Sequence, residues 1–521
     1  MQDGKIRSLA QEESARKDSI RGDVLKQNNS LRSLDEHPWD HPFLTSGNIK
    51  RFRAYSESVW EFAFNYQKRH RKPLKCAFAV NMAQNMYQWA RIANKLGAEV
   101  ALFPNMMDET ALNAPEWDEF DGEYPDVMDG KGFLEDHSNI SLMVPCEQIP
   151  FDGSELYMCF QEFCKNNKTP LLRLMADSPG LRHEILLNYP GFYPYFKWAK
   201  RLSQFDVVYI AGTPFAAYAS GKPYAAFATG GDLQYDCGRP DVLGQAMSLS
   251  FNAATFLMIS NPHALGHSRR IGLTKGVYLP YPVEDSRYCL GEGLSRKEWE
   301  TRYGPGIYVF SSSRLDPKVK GQDEAFFGAL AEVARKRKEF HFIFLTWGES
   351  AETLKLKAEA LGMGRQFIFL SPVGKKCLID YYRSCDIVLD HFVFGYYGAT
   401  ALEAAAIGKP IIMRFRSEQY RPLYQGDIAP VFNVNTPREV TEKLILLADH
   451  TNLRKQKEIE MREWLIRTHG EAKTGPLMMS LLQIVADQVP LPKDLINPLL
   501  DPETEEEKEY HERCLQPMSK V

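Results

Sequence analysis

Twice along this chain a short apolar run passes through a polar loop into a helical stretch and on into another apolar run. A chain that repeats strand, loop and helix in that order is driven toward parallel sheets covered by helices. The first series starts at Cys76-Ala77-Phe78-Ala79-Val80, continues through Asn81 to Asn85 and a helix over Met86 to Leu96, and reaches a second strand at Ala98 to Phe103. Similar runs predict strands at Asp206 to Ile210, Tyr224 to Ala228 and Thr255 to Ile259. The second series predicts strands at Ile307 to Ser311, His341 to Leu345, Phe367 to Leu370, Asp386 to Leu389 and Pro410 to Met413, separated by helices over 322–337, 351–361, 376–383 and 398–406. In the first of these helices Phe326, Leu330 and Val333 form one stripe, with acids at its start and Arg335 to Lys338 at its end, as the macrodipole favours. The expected fold class is α/β, two doubly wound halves, and ligands of such sheets bind beyond the carboxyl ends of the strands.

Between the series, Val277 to Tyr281 is apolar and broken by Pro280 and Pro282, and a polar stretch follows, which puts a hinge near residue 283. The predicted organisation is a polar extension over 1–45, a first Rossmann-like domain over 46–283 and a second over 284–472. A helix over 473–490 is expected to pack back on the first domain, and 491–521 reads as an acidic tail. Residues 104–150 are acidic and rich in turn formers, and read as a long surface insertion at the cleft.

With 521 residues, 44% of them apolar, the chain can fill more than one core. Lys plus Arg number 63 against 67 Asp plus Glu, a net charge of −4, which lacks the basic field of a nucleic-acid binder. Nine cysteines, scattered and without a CxxC pair, indicate neither a disulfide framework nor a zinc site and fit a reducing compartment. The chain has no apolar run of the ~18 residues needed to span a bilayer, and its first residues lack the apolar core of a signal peptide. The expectation is a cytoplasmic protein. Peripheral contact with the cytoplasmic membrane face is left open by the aromatic and basic stretch Tyr189 to Arg201, although core plus solvated edge is the preferred reading there, and by the cluster Lys68 to Lys72.

Two motifs carry chemistry. Ser311-Ser312-Ser313-Arg314-Leu315-Asp316-Pro317-Lys318-Val319-Lys320-Gly321 places Arg314 and Lys320 on a loop between a strand and a helix. A guanidinium fork and a point-charge ammonium near a helix N-terminus suit a diphosphate. In the second, Asp390 to Pro410, Glu403 lies in a helix of small and apolar residues, where a charge needs hydrogen-bonding partners, and the vicinal hydroxyls of a ribose would serve. Gly398, Ala399 and Thr400 open that helix and offer free N–H groups to phosphate oxygens.

Together, Arg314 with Lys320-Gly321, and Gly398 with Leu402-Glu403-Ala404 and Gly408-Lys409-Pro410, resemble the donor half of family 4 retaining glycosyltransferases, which have the GT-B fold. The likeness is specific over about 305–450 and weaker over 74–285. It implies that Arg314 and Lys320 hold the donor diphosphate, that Glu403 binds the ribose, and that Ser371-Pro372-Val373 meets the nucleobase. It implies a nucleotide sugar, UDP- or GDP-linked, as substrate, a glycan, glycolipid or other hydroxyl acceptor, and neither cofactor nor metal.

The sequence departs from the family in three places. The first Glu of its Glu-x7-Glu motif falls on Gly395; Asp390, ahead of His391 and Tyr397, is the candidate substitute. The family's Gly-Gly loop is replaced by Asn81 to Asn85, with Asn85 expected as a helix N-cap. The histidine many relatives carry near residue 230 is missing, and Asp232 is the candidate for polarising the acceptor or supporting positive charge on the sugar; a turn aspartate is the plainer alternative. His263 and His267 have the spacing of a metal pair without a third ligand, and are read as structural. The expected activity is retaining glycosyl transfer in polysaccharide or glycoconjugate synthesis. The alternatives are a nucleotide-sugar epimerase of the same fold and a silent nucleotide- or glycan-binding subunit.

Overall fold

The computed structural model describes residues 74–500 apart from 105–109, 188–189, 319, 394, 421–422, 425–426 and 492–496, together with Glu505 and Lys508. The 1–45 extension, the 68–72 cluster and most of the 491–521 tail lie outside the described residues.

Two six-stranded parallel sheets form the molecule. The first holds β1 (Lys75–Ala79), β2 (Glu99–Phe103), β3 (Val207–Ala211), β4 (Tyr224–Phe227), β5 (Leu257–Ile259) and β6 (Gly276–Tyr278), in the order β2-β1-β3-β4-β5-β6. The second holds β7 (Ile307–Ser311), β8 (Phe340–Leu345), β9 (Phe367–Leu370), β10 (Ile387–Leu389), β11 (Ile411–Met413) and β12 (Phe432–Asn433), in the order β9-β8-β7-β10-β11-β12. These strands are short, mostly buried apolar runs, as expected of parallel sheets covered on both faces. The sequence reading gives ten of them within a residue or two. It misses β6, three residues cut off by Pro280 and Pro282, and β12, only two residues long. Strand order reverses between β1 and β3 and between β7 and β10, so each sheet has its crevice there.

The helices that matter here are α1 (Asn85–Lys95), α2 (Gly130–His137), α3 (Glu324–Lys336), α4 (Lys375–Ser384), α5 (Ala399–Ala406) and α6 (Glu471–Asp487). Asp323 caps α3 by accepting from Phe326 N–H at 2.9 Å. On α6, Met478, Leu481, Leu482 and Val485 share one face and are buried in the core of the first sheet. The chain reaches α6 through a second crossing: Val283 N–H donates to His469 O at 2.9 Å, beside the outgoing linker. His469 is buried, with Nδ1 2.6 Å from Tyr281 O and Nε2 2.7 Å from Tyr424 OH. The carbonyl can only accept, so Nδ1 carries the proton and Nε2 accepts from the tyrosine. Burial pushes the His469 pKa down to about 4.

The 104–150 segment is more than a surface insertion. Ala111, Ala114, Trp117, Val127 and Phe133 form a small buried core of their own, against which Trp347 of the second domain packs. The segment then pairs with the edge of the second sheet: Tyr124 N–H donates to Pro372 O, and Gly374 N–H to Gly122 O, each at 2.9 Å. It is a strap running from the first domain onto the second.

A buried charge network anchors the strap. Arg91 on α1 pairs with Asp118, with Glu119 at 2.8 Å and with Glu284 of the linker at 2.8 Å. Arg287 pairs with Asp118 from the other side, and Lys95 joins Glu284 to Glu471, at 2.5 and 2.8 Å. Burial works against the Asp118 charge, but Arg91 and Arg287 outweigh it and hold the carboxyl well below the usual carboxylate range.

Candidate functional site

The crevice of the second sheet gathers the motif residues. Ser312 and Ser313 leave β7, and Asp390 leaves the neighbouring β10. Ser313 Oγ donates to Asp390 Oδ1 at 2.7 Å and lies 3.3 Å from Thr400 Oγ1 at the start of α5. Ser312 Oγ is 3.0 Å from Thr400 Oγ1 and 2.7 Å from Tyr382 OH. The two loops also meet further out, where Phe392 N–H donates to Lys320 O at 2.7 Å. Gly321 makes that approach feasible: it has φ +79°, and a Cβ there would lie 2.8 Å from Val393 Cγ2.

Arg314 and Lys320 therefore stand on one loop at the crevice. Arg314 is partly exposed, with Nη2 3.1 Å from Asp316 Oδ2, a contact that aims the guanidinium without burying it. Lys320 has no ion-pair partner among the described residues. It lies close enough to His391 to disfavour an imidazolium there, adding to burial, which is the main cause of that histidine's lowered pKa. Gly398 is the N-cap of α5 and supplies no side chain, so the first N–H groups of the helix are left for a ligand or water.

Glu403 is buried one turn further along α5 and already has a partner, the Lys375 ammonium at the start of α4. Lys375 escapes the sequence reading. A signal was present nonetheless, because a lysine in the first turn of a helix opposes the macrodipole and calls for a local reason. The contact fixes the Glu403 side chain beside the crevice.

Asp390 is 1% exposed, and its Oδ2 has no hydrogen-bond partner among the described residues. A Cβ on Gly398 would lie 3.6 Å from that oxygen, which places it at the mouth of α5. The other two candidates are otherwise engaged. His391 Nε2 faces Tyr396 O, and Tyr397 is built into an aromatic core, its OH accepting from Ala429 N–H at 3.1 Å. Gly395, where the family has its first Glu, has φ +77°, and a Cβ there would meet Arg416 Cγ at 2.6 Å. The position is closed to a side chain, and the Arg416 stem fills the space.

Ser371, Pro372 and Val373 extend β9, and Pro372 O is taken by the strap. In the first sheet the predicted residues serve the scaffold. Asn81 Nδ2 donates to Asn113 O at 2.9 Å, and Gln84 Nε2 to Leu112 O and Ala114 O at 2.8 and 2.6 Å. Asn113 Oδ1 in turn accepts from Ala83 N–H at 2.8 Å. Asn85 is not an N-cap, because it lies inside α1; Asn81 Oδ1 takes over by accepting from Tyr87 N–H at 2.9 Å. Asp232 accepts from the backbone N–H groups of Thr229, Gly230 and Leu233 at 2.8–2.9 Å. Burial pushes its pKa up to about 6, with those donors pulling against it. His267 is buried, and no group of three or more metal-ligating side chains occurs among the described residues. No helix among them is long and apolar enough to cross a membrane.

Residues 296–462, the greater part of the second domain, match the family model of glycosyl transferases group 1. No curated protein matches the chain. Among solved structures, Anabaena HepE in complex with UDP and glucose is 12% identical, with TM-score 0.54 over 79% of this chain and 100% of that one. A glycosyltransferase from Rickettsia africae is 11% identical, with TM-score 0.51 over 80% and 99% of the two chains. Sucrose-phosphate synthase from Thermosynechococcus elongatus is 10% identical, with TM-score 0.50 over 79% and 98%. At such identities the likeness is one of fold, and the fold is GT-B: two Rossmann-like domains, each with its crevice at the carboxyl ends of its strands.

Proposed function

We propose that the protein is a retaining glycosyltransferase that moves a sugar from a nucleotide-sugar donor, UDP- or GDP-linked, to a hydroxyl acceptor on a glycan, glycolipid or similar molecule. The observation that carries this reading is the meeting of the Arg314–Lys320 loop with the open N-terminus of α5 at the crevice of the second sheet. The glycosyl transferases group 1 match over that same domain supports it. Arg314 and Lys320 neutralise the leaving diphosphate, and the N–H groups after Gly398 bind its oxygens; this is charge stabilisation that other transferases draw from a divalent ion. Glu403, oriented by Lys375, accepts from the ribose hydroxyls. Asp390 accepts from a sugar hydroxyl through its unpaired oxygen. Retention follows if the acceptor hydroxyl attacks from the face the phosphate leaves, the departing phosphate taking its proton. On this reading the protein works in the cytoplasm, in polysaccharide or glycoconjugate synthesis, without a cofactor.

A second reading, a silent nucleotide- or glycan-binding subunit, draws on Gly395 and Asp232, since the carboxylate expected at one is excluded and the one present at the other is absorbed by its own loop. One experiment separates the two. The protein is incubated with a panel of nucleotide sugars and nucleoside diphosphate release is followed. Release that falls by about 100-fold in Arg314→Ala supports the transferase. Binding without release in the wild type supports the subunit.

A further inference from the structure

The strap does something for α4 that the helix cannot do for itself. Gly374 is the N-cap of α4 and has no side chain to offer, so the first N–H groups of the helix need acceptors from elsewhere. The main chain of the strap supplies one: Lys376 N–H donates to Phe120 O at 3.3 Å, and just ahead of the helix Gly374 N–H donates to Gly122 O at 2.9 Å. Cys377 Sγ–H donates to Asp121 Oδ1 at 3.2 Å one residue further on. Only a glycine at 374 lets the two segments come so near. Its φ is −62°, open to any residue, but a Cβ there would run into Phe120 O and lie 2.7 Å from Phe120 Cβ.

The residue placed by this cap is Lys375. It is the first residue of α4, where the macrodipole disfavours a cation, and its side chain is only 12% exposed, so its ammonium needs carboxylates close by. Glu403 of α5 is one. The other is Asp118 of the strap: burial opposes the Asp118 charge, and Lys375 joins Arg91 and Arg287 in outweighing it. The ammonium takes Oε1 of Glu403, which leaves Oε2 for a ligand. A line of charges thus runs from Arg91 in the first domain through Asp118 and Lys375 to Glu403 at the second crevice.

We propose that the strap is a positioning element of the donor site: by capping α4 and setting Asp118 beside Lys375, it aims the Glu403 carboxylate at the ribose hydroxyls of the donor. This rests on the donor-site reading above and goes beyond it, since that reading gives the strap no part in binding. The ribose contact then depends on a segment rooted in the first domain, through Asn81, Gln84 and Arg91, whereas the diphosphate contact does not. Among the described residues, Arg314 and Lys320 make no hydrogen bond or ion pair with the strap.

The test measures binding of inorganic pyrophosphate, of UDP and GDP, and of their dideoxy analogues, which lack both ribose hydroxyls, to the full chain, to Glu403→Ala and to two variants of the brace. Gly374→Ala wedges a methyl group between the strap and α4. Asp118→Asn removes the strap's charge and leaves Arg91 and Arg287 to repel Lys375. The wild type is expected to bind at least one nucleotide about tenfold or more tightly than its dideoxy analogue, as hydrogen bonds from hydroxyls to a carboxylate would give, and Glu403→Ala to abolish that preference. Gly374→Ala and Asp118→Asn should each cut it to about threefold or less while leaving pyrophosphate affinity unchanged. Both forms carry the same base, so a disturbed base contact cancels in the ratio. Intact pyrophosphate binding also reports that a variant is folded, and a variant that fails this control yields to the other. A preference kept in full by the brace variants and lost in Glu403→Ala would overturn the positioning role and leave the donor-site reading standing. Loss of pyrophosphate binding in both brace variants would overturn it as well, marking the strap as support for the whole fold. A wild type that binds no nucleotide, or does not distinguish the two forms, would sink the assignment of Glu403 to the ribose and the proposal with it.

Discussion

The two sheets have the same construction and opposite chemistry at their carboxyl ends. In the second, the loops after β7 and β10 keep polar groups in reserve: among the described residues Arg314 is partly exposed, Lys320 has no ion-pair partner, and one oxygen of Asp390, 4.0 Å from His391 Nε2, has no hydrogen-bond partner. In the first, the corresponding loops spend theirs on the fold. Asn81 and Gln84 grip the strap, and Asp232 ties its own turn. A buried polar group with all its partners rigidifies, whereas one without them carries a desolvation cost that only a ligand or water relieves. On the proposed reading, the contrast makes the second crevice the place where binding is prepared in advance. The first domain contributes a wall and, through the strap, a brace.

The largest expected effect breaks the brace. Arg91 faces three carboxylates in a site from which water is nearly excluded, so Arg91→Ala leaves Asp118, Glu119 and Glu284 to repel one another. Removing one partner of a buried ion pair costs about 3–5 kcal/mol, which denaturant unfolding would read directly. A loss below about 1 kcal/mol would mean that the strap is held by its apolar core alone. Next in size is Arg314→Ala in the open crevice. It should remove about 2.7 kcal/mol or more from transition-state stabilisation, roughly a 100-fold loss in turnover, with the unfolding midpoint nearly unchanged because the side chain is partly exposed. Together the two substitutions should move stability and activity separately, and a parallel loss in both variants would dissolve the contrast.

Much of the second crevice was legible in the sequence because its chemistry sits on contiguous residues. Arg314 and Lys320 share one loop, and Gly398 and Glu403 share one helix, so local pattern and spacing were enough. Groups brought together by tertiary contact were not legible. Lys375 reaches Glu403 across 28 positions of sequence, and nothing near Glu403 announces it. The Arg416 stem explains Gly395 only when the two are seen in contact. The strap was misjudged for a related reason. Its composition is acidic and turn-rich, as a solvated loop would be, but its few large apolar residues, Trp117 and Phe133 among them, are shared with Trp347 far along the chain. Strands β6 and β12 were missed because two or three residues carry too little periodicity to be told from loop.

Acidification gives an effect of intermediate size, in which buried histidines and a buried aspartate pull in opposite directions. Burial sets the pKa of His183 in the first domain and of His469 at the junction at about 4 each. Against an unfolded value near 6.5, the unfolded chain binds more protons between these limits, so stability falls as pH drops through that window. By pH 5 each histidine withdraws about 2 kcal/mol. Asp232 works the other way, because a folded pKa of about 6 against about 3.8 unfolded makes the native state the better proton binder over that range, returning about 1 kcal/mol by pH 5. The net expectation is a loss of stability between pH 7 and pH 5, measured as a falling urea midpoint. His469→Gln should flatten the slope, and Asp232→Asn should steepen it.

The smallest effect bears on how the first crevice is held. Val80, Ala83 and Gln84 all take positive φ, at 65°, 47° and 68°, where the family resemblance leads one to expect glycines. Non-glycine residues in that region cost of order 1 kcal/mol or more each and persist only where the surroundings dictate them. Asn113 is the dictating group, since its Oδ1 accepts from Ala83 N–H and its carbonyl from Asn81 Nδ2. Asn113→Ala deletes the first contact, and because Ala83 is exposed water can replace part of it, so stability should drop by about 0.5–1 kcal/mol. Ala83→Gly in the same background should recover part of that loss by relieving the strain, and in the wild type it should change little, because what glycine gains by easing φ it loses to greater freedom in the unfolded chain. Affinity of the second crevice for pyrophosphate should be the same in all three variants. If Asn113→Ala weakened it, the two ends of the molecule would be coupled through the strap, and the division between a brace and a prepared site would give way to a single shared machine.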